Sequence, residues 1–244
     1  GYRILKNHMR HDDDTHSPNL DIKAKPPKWL RNLWRGTQFN QKTHDTTIAE
    51  LEQDNVCMAG DGSVRDQLGA HAWCLAQKER DEPFFKTSSP VDGSRHTMRA
   101  LRAESSHVLA GIAYICSLEQ YVSNTNVTIP IYTDCQTLVN RMKATHINNP
   151  TLVIADHMDI IYQIRALMKE SKFKFDVVYT RSIKNDEFNE GTAAEKLVQR
   201  MHLVAYNYFT TPHAILPRKF TDFFTESEIS VVANEKPIIS DIGM

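Results

Sequence analysis

The sequence predicts an α/β fold in which a mixed five-stranded sheet carries flanking helices. Three observations predict it. Three short apolar runs separated by polar turns follow one another from residue 55. Stretches with helical spacing then alternate with two further apolar runs. Strands in a row followed by alternating units imply a sheet with both antiparallel and parallel pairs, with helices packed against it.

Composition sets the bounds. The chain has 244 residues, 41% of them hydrophobic and 24% charged, which suits one domain of roughly 150 residues with extensions. The formal net charge of −1 gives no overall basic excess, so any nucleic-acid surface must be a local one. No apolar stretch approaches the roughly 20 residues that span a bilayer, and residues 1–14 lack a signal-peptide apolar core. We expect no membrane association. Cys57, Cys74, Cys116 and Cys135 include no CxxC pair, so free thiols in a reducing, intracellular compartment (cytoplasm or nucleus) are expected. Residue 1 is Gly rather than Met, and we expect a piece of a longer chain.

Residues 1–54 read as a polar, irregular extension or connector. Within it, Trp29, Leu30, Leu33 and Trp34 suggest a short amphipathic helix after Pro26 and Pro27. His8, His11, Asp12, Asp13, Asp14 and His16 have metal-ligand chemistry but read as a solvated charge run.

The domain is placed at 55–209. VCMAGDGS reads as a strand ending in a turn, LGAHAWCLAQ as a second strand and EPFFKTSS as a third, with 89–99 as a polar loop. Val108, Ile112 and Ile115 mark the first long helix. VTIPIYTD is the fourth strand, with Pro130 expected at its start or beside a bulge. TLVNRM is a short helix, and 151–169 a longer one striped by Ile154, Met158, Ile161 and Met168. FKFDVVYT is the fifth strand and 191–208 the closing helix. In the tail, 210–244, ISVVA and KPIIS flank Asn234 and Glu235 as a small hairpin.

Each principal element carries an acid. Asp61 follows the apolar run of the first strand and Asp134 that of the fourth; Glu104 stands in the first turn of the first long helix and Glu195 near the start of the last. If strands one and four are neighbours, Asp61 and Asp134 project from one edge, and the helix start brings Glu104 over them. Carboxylates so gathered repel, and a divalent cation relieves them. Hard oxygen ligands favour Mg²⁺ or Mn²⁺. Two ions about 4 Å apart would clamp the attacking and leaving oxygens of a phosphodiester, which sets the expected carboxylate separation at about 4–7 Å. Taken singly, Asp in Asp-Gly is a routine turn residue and Glu in a first turn a routine dipole partner.

GDGS with Asp61, RAES with Glu104, IYTD with Asp134 and NEGTAAEKL with Glu195, together with the hairpin LGAHAWCL, resemble the ribonuclease H family over 55–209. In the SSPVDG loop the chain is similar to the ribonuclease H-like domains attached to retrotransposon reverse transcriptases. The resemblance implies a two-metal endoribonuclease that cuts the RNA strand of an RNA–DNA hybrid, within a retroelement polyprotein that carries a reverse transcriptase domain. It implies Asp61, Glu104, Asp134 and Glu195 as catalytic residues and metal ligands, with Ser63, for contact with the 2′-hydroxyls, and Arg181 as substrate-binding candidates.

Two positions depart from the family. Arg181 stands where the family carries a His after the fifth strand. Ala193 occupies the slot four residues after Asn189 where the family carries Asp, so Glu195 matches only through the following Lys-Leu register. Asp186, Glu187 and Glu190 are possible substitutes. These departures keep open a catalytically decayed fold acting as a structural or nucleic-acid-binding module. A third reading, an integrase-like strand-transfer enzyme, fits less well because of Glu104. Gly191 and Thr192 are expected in the loop before the last helix, with Thr192 as N-cap and Glu195 closing a capping box.

Overall fold

The computed structural model describes residues 33–93, 98–144, 157–217, 232–233 and 236–237. The charge run at residues 8–16 and the apolar Trp29 and Leu30 lie outside them.

Among the described residues, a helix that the sequence reading missed, α1 (Gln41–Glu52), precedes the sheet. Asn40 caps it by accepting from the Thr43 N–H at 2.8 Å, and Leu51 is fully buried. Leu33 and Trp34 also enter the main core, and the Trp34 indole N–H donates to Ala110 O at 3.0 Å. Three antiparallel strands follow: β1 (Val56–Arg65), β2 (Leu68–Gln77) and β3 (Pro83–Val91). Then come α2 (Ala100–Ser117), β4 (Thr128–Thr133), α3 (Gln136–Lys143), α4 (Met158–Glu170), β5 (Lys174–Tyr179) and α5 (Ala193–Tyr206). In the tail, β6 (Val232–Ala233) pairs antiparallel with β7 (Lys236–Pro237).

The five-stranded sheet has the order β3-β2-β1-β4-β5, with β4 parallel to both β1 and β5. This is the mixed five-stranded sheet with flanking helices expected from the sequence. Its two faces differ in texture. One carries large side chains, among them Met58, Trp73 and Leu75, packed against α2 and α4 residues such as Leu109, Ile112 and Ile161. The other carries small ones, Cys57, Ala59, Ala72, Cys74 and Ala76, which seat Leu197, Val198 and Met201 of α5. Strand alternation explains the split, since neighbours along β1 point to opposite faces. All four cysteines are free, and burial pushes the Cys57 thiol up to about 11, as befits inert core thiols.

Four local expectations need correction. The first strand does not end at Asp61-Gly62-Ser63; β1 runs on to Arg65 and turns at Asp66 and Gln67, both at positive φ. The third strand reaches Val91, because Ser89, Pro90 and Val91 pair with His71, Ala70 and Gly69 of β2. Pro90 is tolerated there because β3 is an edge strand. Pro130 is the third residue of β4, opposite Asp176 of β5, neither first nor beside a bulge. The ladder from β4 to β1 begins one residue later, at Ile131. Finally, Glu104 is the fifth residue of α2, so it lies in the second turn.

Candidate metal centre

Two central strands fix the first pair of acids. Parallel pairing sets Met58 opposite Ile131 and Ala59 opposite Tyr132, and two further residues in that register bring Asp61 level with Asp134. Asp134 stands just past the end of β4, where Thr133 Oγ1 accepts from the Cys135 N–H at 3.2 Å and bends the chain.

Two glycines place the third acid. A Cβ on Gly62 would lie 2.3 Å from both Ala103 C and Glu104 N, and one on Gly60 would lie 2.3 Å from His107 Cδ2. Only hydrogen at these positions lets α2 settle directly on β1. Gly62 is therefore a close-approach residue and not a turn residue. The entry to α2 is braced as well: Arg35 pairs with buried Asp92, while Arg102 donates through Nε to Asp92 O at 3.3 Å and pairs with Asp159 of α4 at 3.1 Å.

Asp61, Glu104 and Asp134 consequently converge, with one carboxylate oxygen from each within 4.8 Å of the others. Asp61 and Glu104 are buried and Asp134 is half-buried. Glu104 is held well above the usual carboxylate range, first by burial and then by the charges of Asp61 and Asp134. Asp134 is raised by burial and by Asp61, with partial relief from the Ser182 hydroxyl. Among the described residues, Glu104 Oε2 is buried without a hydrogen bond, its neighbour being Nδ1 of His107 at 3.6 Å, an imidazole that burial keeps neutral. An all-oxygen donor set, mutual repulsion and an unsatisfied buried oxygen together fit a hard divalent cation.

His202 of α5 also belongs to this site, and the sequence reading missed it. Its Nδ1 lies 3.1 Å from Asp61 Oδ2, and this hydrogen bond raises the imidazole pKa. His202 follows Glu195 by seven residues, two helical turns, and so lies on the same face of α5. That spacing was the available signal.

Glu195 is not part of the carboxylate group among the described residues. Thr192 is the N-cap and the capping box is complete: the Glu195 N–H donates to Thr192 Oγ1 at 3.3 Å, and the Thr192 N–H donates to Glu195 Oε2 at 2.8 Å. The other oxygen, Oε1, accepts from Arg181 Nε at 2.5 Å. The Thr192 N–H first, and Arg181 after it, hold the Glu195 carboxyl below its ordinary range. Arg181 is thus tied to the cap of α5. Asp186, Glu187 and Glu190 lie in the 3₁₀ turn Asn185–Glu190, also outside the group. Ser63 is a strand residue opposite Ala70, on the same face of β1 as Asp61.

No family model matches the chain, and no curated protein does. Solved ribonuclease H structures do match at low similarity. The N-terminal ribonuclease H domain of Rv2228c from Mycobacterium tuberculosis, solved as a fusion with maltose-binding protein, is 13% identical over 62% of this chain and 97% of that one, with a TM-score of 0.38. Ribonuclease H1 from the halophilic archaeon Halobacterium salinarum NRC-1 is 13% identical over 57% and 96%, with a TM-score of 0.41. LC11 ribonuclease H1, solved in complex with an RNA/DNA hybrid, is 13% identical over 56% and 93%, also at 0.41. These matches are too distant to carry an activity to this chain, so its chemistry rests on the carboxylates themselves.

Proposed function

We propose that the chain is a metal-dependent endoribonuclease that cleaves the RNA strand of RNA–DNA hybrids, in the setting of a retroelement polyprotein with a reverse transcriptase domain. The observation that carries this reading is the convergence of Asp61, Glu104 and Asp134 within 4.8 Å on the adjacent strands β1 and β4 and the overlying α2. These three residues would hold Mg²⁺ or Mn²⁺. Two such cations, when bound, supply the positive charge that activates water and stabilises the departing oxygen in phosphodiester hydrolysis.

The chain's own residues prepare the site. Gly62 lets Glu104 reach Asp61. His202 fixes the rotamer of Asp61 from outside, as hydrogen-bonded neighbours of ligating carboxylates do. Glu195 acts as the cap of α5, so His202, not a fourth carboxylate, completes the side of the site that α5 faces. Ser63 offers a hydroxyl on the same face of β1, suited to a ribose 2′-hydroxyl.

The test is incubation of the chain with an end-labelled RNA–DNA hybrid in Mg²⁺ or Mn²⁺. RNA-strand cleavage abolished by EDTA, with double-stranded DNA left intact, is the expected outcome. Hybrid binding without cleavage in either metal would favour the decayed, binding-only module suggested by Arg181 and Ala193.

A further inference from the structure

Beside the carboxylates lies a surface that the metal chemistry does not use. Asp61, Ser63 and Arg65 share one face of β1 by strand alternation. Opposite them, α5 presents His202 and, one turn on, Tyr206. The two rings are nearly parallel, with centroids 6.1 Å apart and planes at 22°. The Arg65 guanidinium lies over the Tyr206 ring, 5.8 Å from its centre. An unbroken row of contacts thus leads from Asp61 through His202 and Tyr206 to Arg65.

This row is open to solvent. Tyr206 is 48% exposed, and the side chains of Arg65 and His202 are 53% and 43% exposed. Tyr206 is absent from the apolar clusters that seat α5, so packing does not account for it. Among the described residues, Arg65 pairs with Asp66 at 3.8 Å, and with the Asp66 side chain 89% exposed that pair competes weakly for the guanidinium.

We infer that Arg65 and Tyr206 form a subsite for the strand being cut, on one side of the scissile phosphate. The inference rests on the nuclease reading above and names where the substrate goes beyond the metals. The chemistry fits a nucleic-acid strand. A half-exposed tyrosine ring stacks against a ribose of the paired strand without regard to sequence, and a guanidinium grips phosphate with two parallel hydrogen bonds. The cation–π contact holds the guanidinium ready beside the ring. Four residues of extended strand separate Asp61 from Arg65, about 13 Å at roughly 3.3 Å per residue. That places the subsite roughly two to four nucleotides from the cleaved bond, taking about 3.4 Å of axial rise per nucleotide as the lower limit of spacing.

The experiment measures KM and kcat of the full chain on a labelled RNA–DNA hybrid in Mn²⁺, for wild type, Tyr206→Ala, Tyr206→Phe and Arg65→Ala, with circular dichroism confirming that each is folded. Tyr206→Ala raises KM about tenfold with kcat unchanged, and Tyr206→Phe restores the wild-type value because the ring does the stacking. Arg65→Ala raises KM and lowers the salt slope of binding by about 1, as loss of one phosphate contact requires. Shortening the RNA strand on one side of the cut to a single nucleotide raises the wild-type KM and removes the difference between wild type and Tyr206→Ala. Unchanged KM in both alanine variants overturns the subsite, as does an effect of Tyr206→Ala that follows truncation of the DNA strand instead. If wild type neither binds nor cuts any hybrid, the nuclease reading fails and this inference with it; active wild type with insensitive variants fails the subsite alone.

Discussion

At the scale of single residues, the candidate site depends as much on what is missing as on what is present. Gly62 contributes no side chain, and that absence lets Glu104 stand over Asp61. We expect Gly62→Ala to force β1 and α2 apart, since the new methyl would meet backbone at 2.3 Å. Overpacking of this kind costs on the order of 1–3 kcal/mol, read as a lowered Tm, with weaker Mn²⁺ binding in the same protein. A Gly62→Ala variant as stable as wild type would show that the close approach is not needed. His202 contributes a hydrogen bond in place of a charge. His202→Ala should weaken Mn²⁺ binding about 10- to 100-fold, the usual consequence of removing such a neighbour, while leaving the fold intact. Titration calorimetry reads this directly, and unchanged affinity would reduce the Asp61–His202 contact to a surface pairing.

The residue scale also shows what the sequence could and could not reveal. Asp61, Glu104 and Asp134 were legible because acids at the ends of apolar runs and at a helix start are visible as spacing. Asp61 was nevertheless misplaced by context: Asp-Gly is the commonest of turn signals, and nothing local distinguishes a turn glycine from one that admits a helix. His202 was hidden because its partner, Asp61, lies 141 positions away.

At the scale of elements, the start of α5 was read two ways. The pattern suggested a helix over 191–208, while the family register and the glycine and N-cap chemistry put Gly191 and Thr192 in the preceding loop, and the second reading holds. Gly191 disfavours a helix interior and Thr192 favours an N-cap, so the helix had to begin at Ala193, as it does. Glu195→Gln keeps the side-chain length, loses the Arg181 ion pair and weakens the box. We expect a loss of about 0.5–1 kcal/mol in urea melts and metal-dependent cleavage within a few-fold of wild type. Loss of cleavage on the scale of an active-site mutant would place Glu195 among the metal ligands after all. By contrast, α1 was not legible, because it shows little apolar periodicity: Asn40 caps it and tertiary contacts through Leu51 hold it. Pro130 and Pro90 misled for a related reason. Whether a strand tolerates proline depends on which neighbour it pairs with at that residue, and the sequence of one strand does not contain that information.

At the scale of the whole molecule, two kinds of buried group respond to pH in opposite directions. His71 and His107 are enclosed on the α2 side, and burial lowers both to about 3. The folded chain therefore holds them neutral. Their contribution to stability is complete above the unfolded value of about 6.5 and is lost as pH falls toward 3, by up to about 1.4 kcal/mol per pH unit for each. Glu104 and Asp134 act in the other direction: their raised folded-state pKa means that protonation on acidification favours the metal-free fold. The carboxylate gain runs from the raised folded-state values down to the ordinary carboxylate range and overlaps the histidine loss, but two fully buried histidines oppose one carboxylate that is buried as deeply, Glu104, since Asp134 is only half-buried. Urea melts of the metal-free chain should accordingly show lower stability at pH 5 than at pH 7. Equal or greater stability at pH 5 would mean that the histidines are not held neutral.

The central claim is that Asp61, Glu104 and Asp134 work as one metal-binding unit that cleaves RNA paired with DNA. The most direct measurement is single-turnover cleavage of a labelled RNA–DNA hybrid in Mn²⁺ by wild type and by Asp134→Asn, prepared alike and shown to be folded. The account predicts cleavage by wild type and none by Asp134→Asn, whose metal-free Tm is equal to or above that of wild type because one repelling charge has been removed. Cleavage by Asp134→Asn at the wild-type rate would contradict it and place the activity elsewhere in the chain.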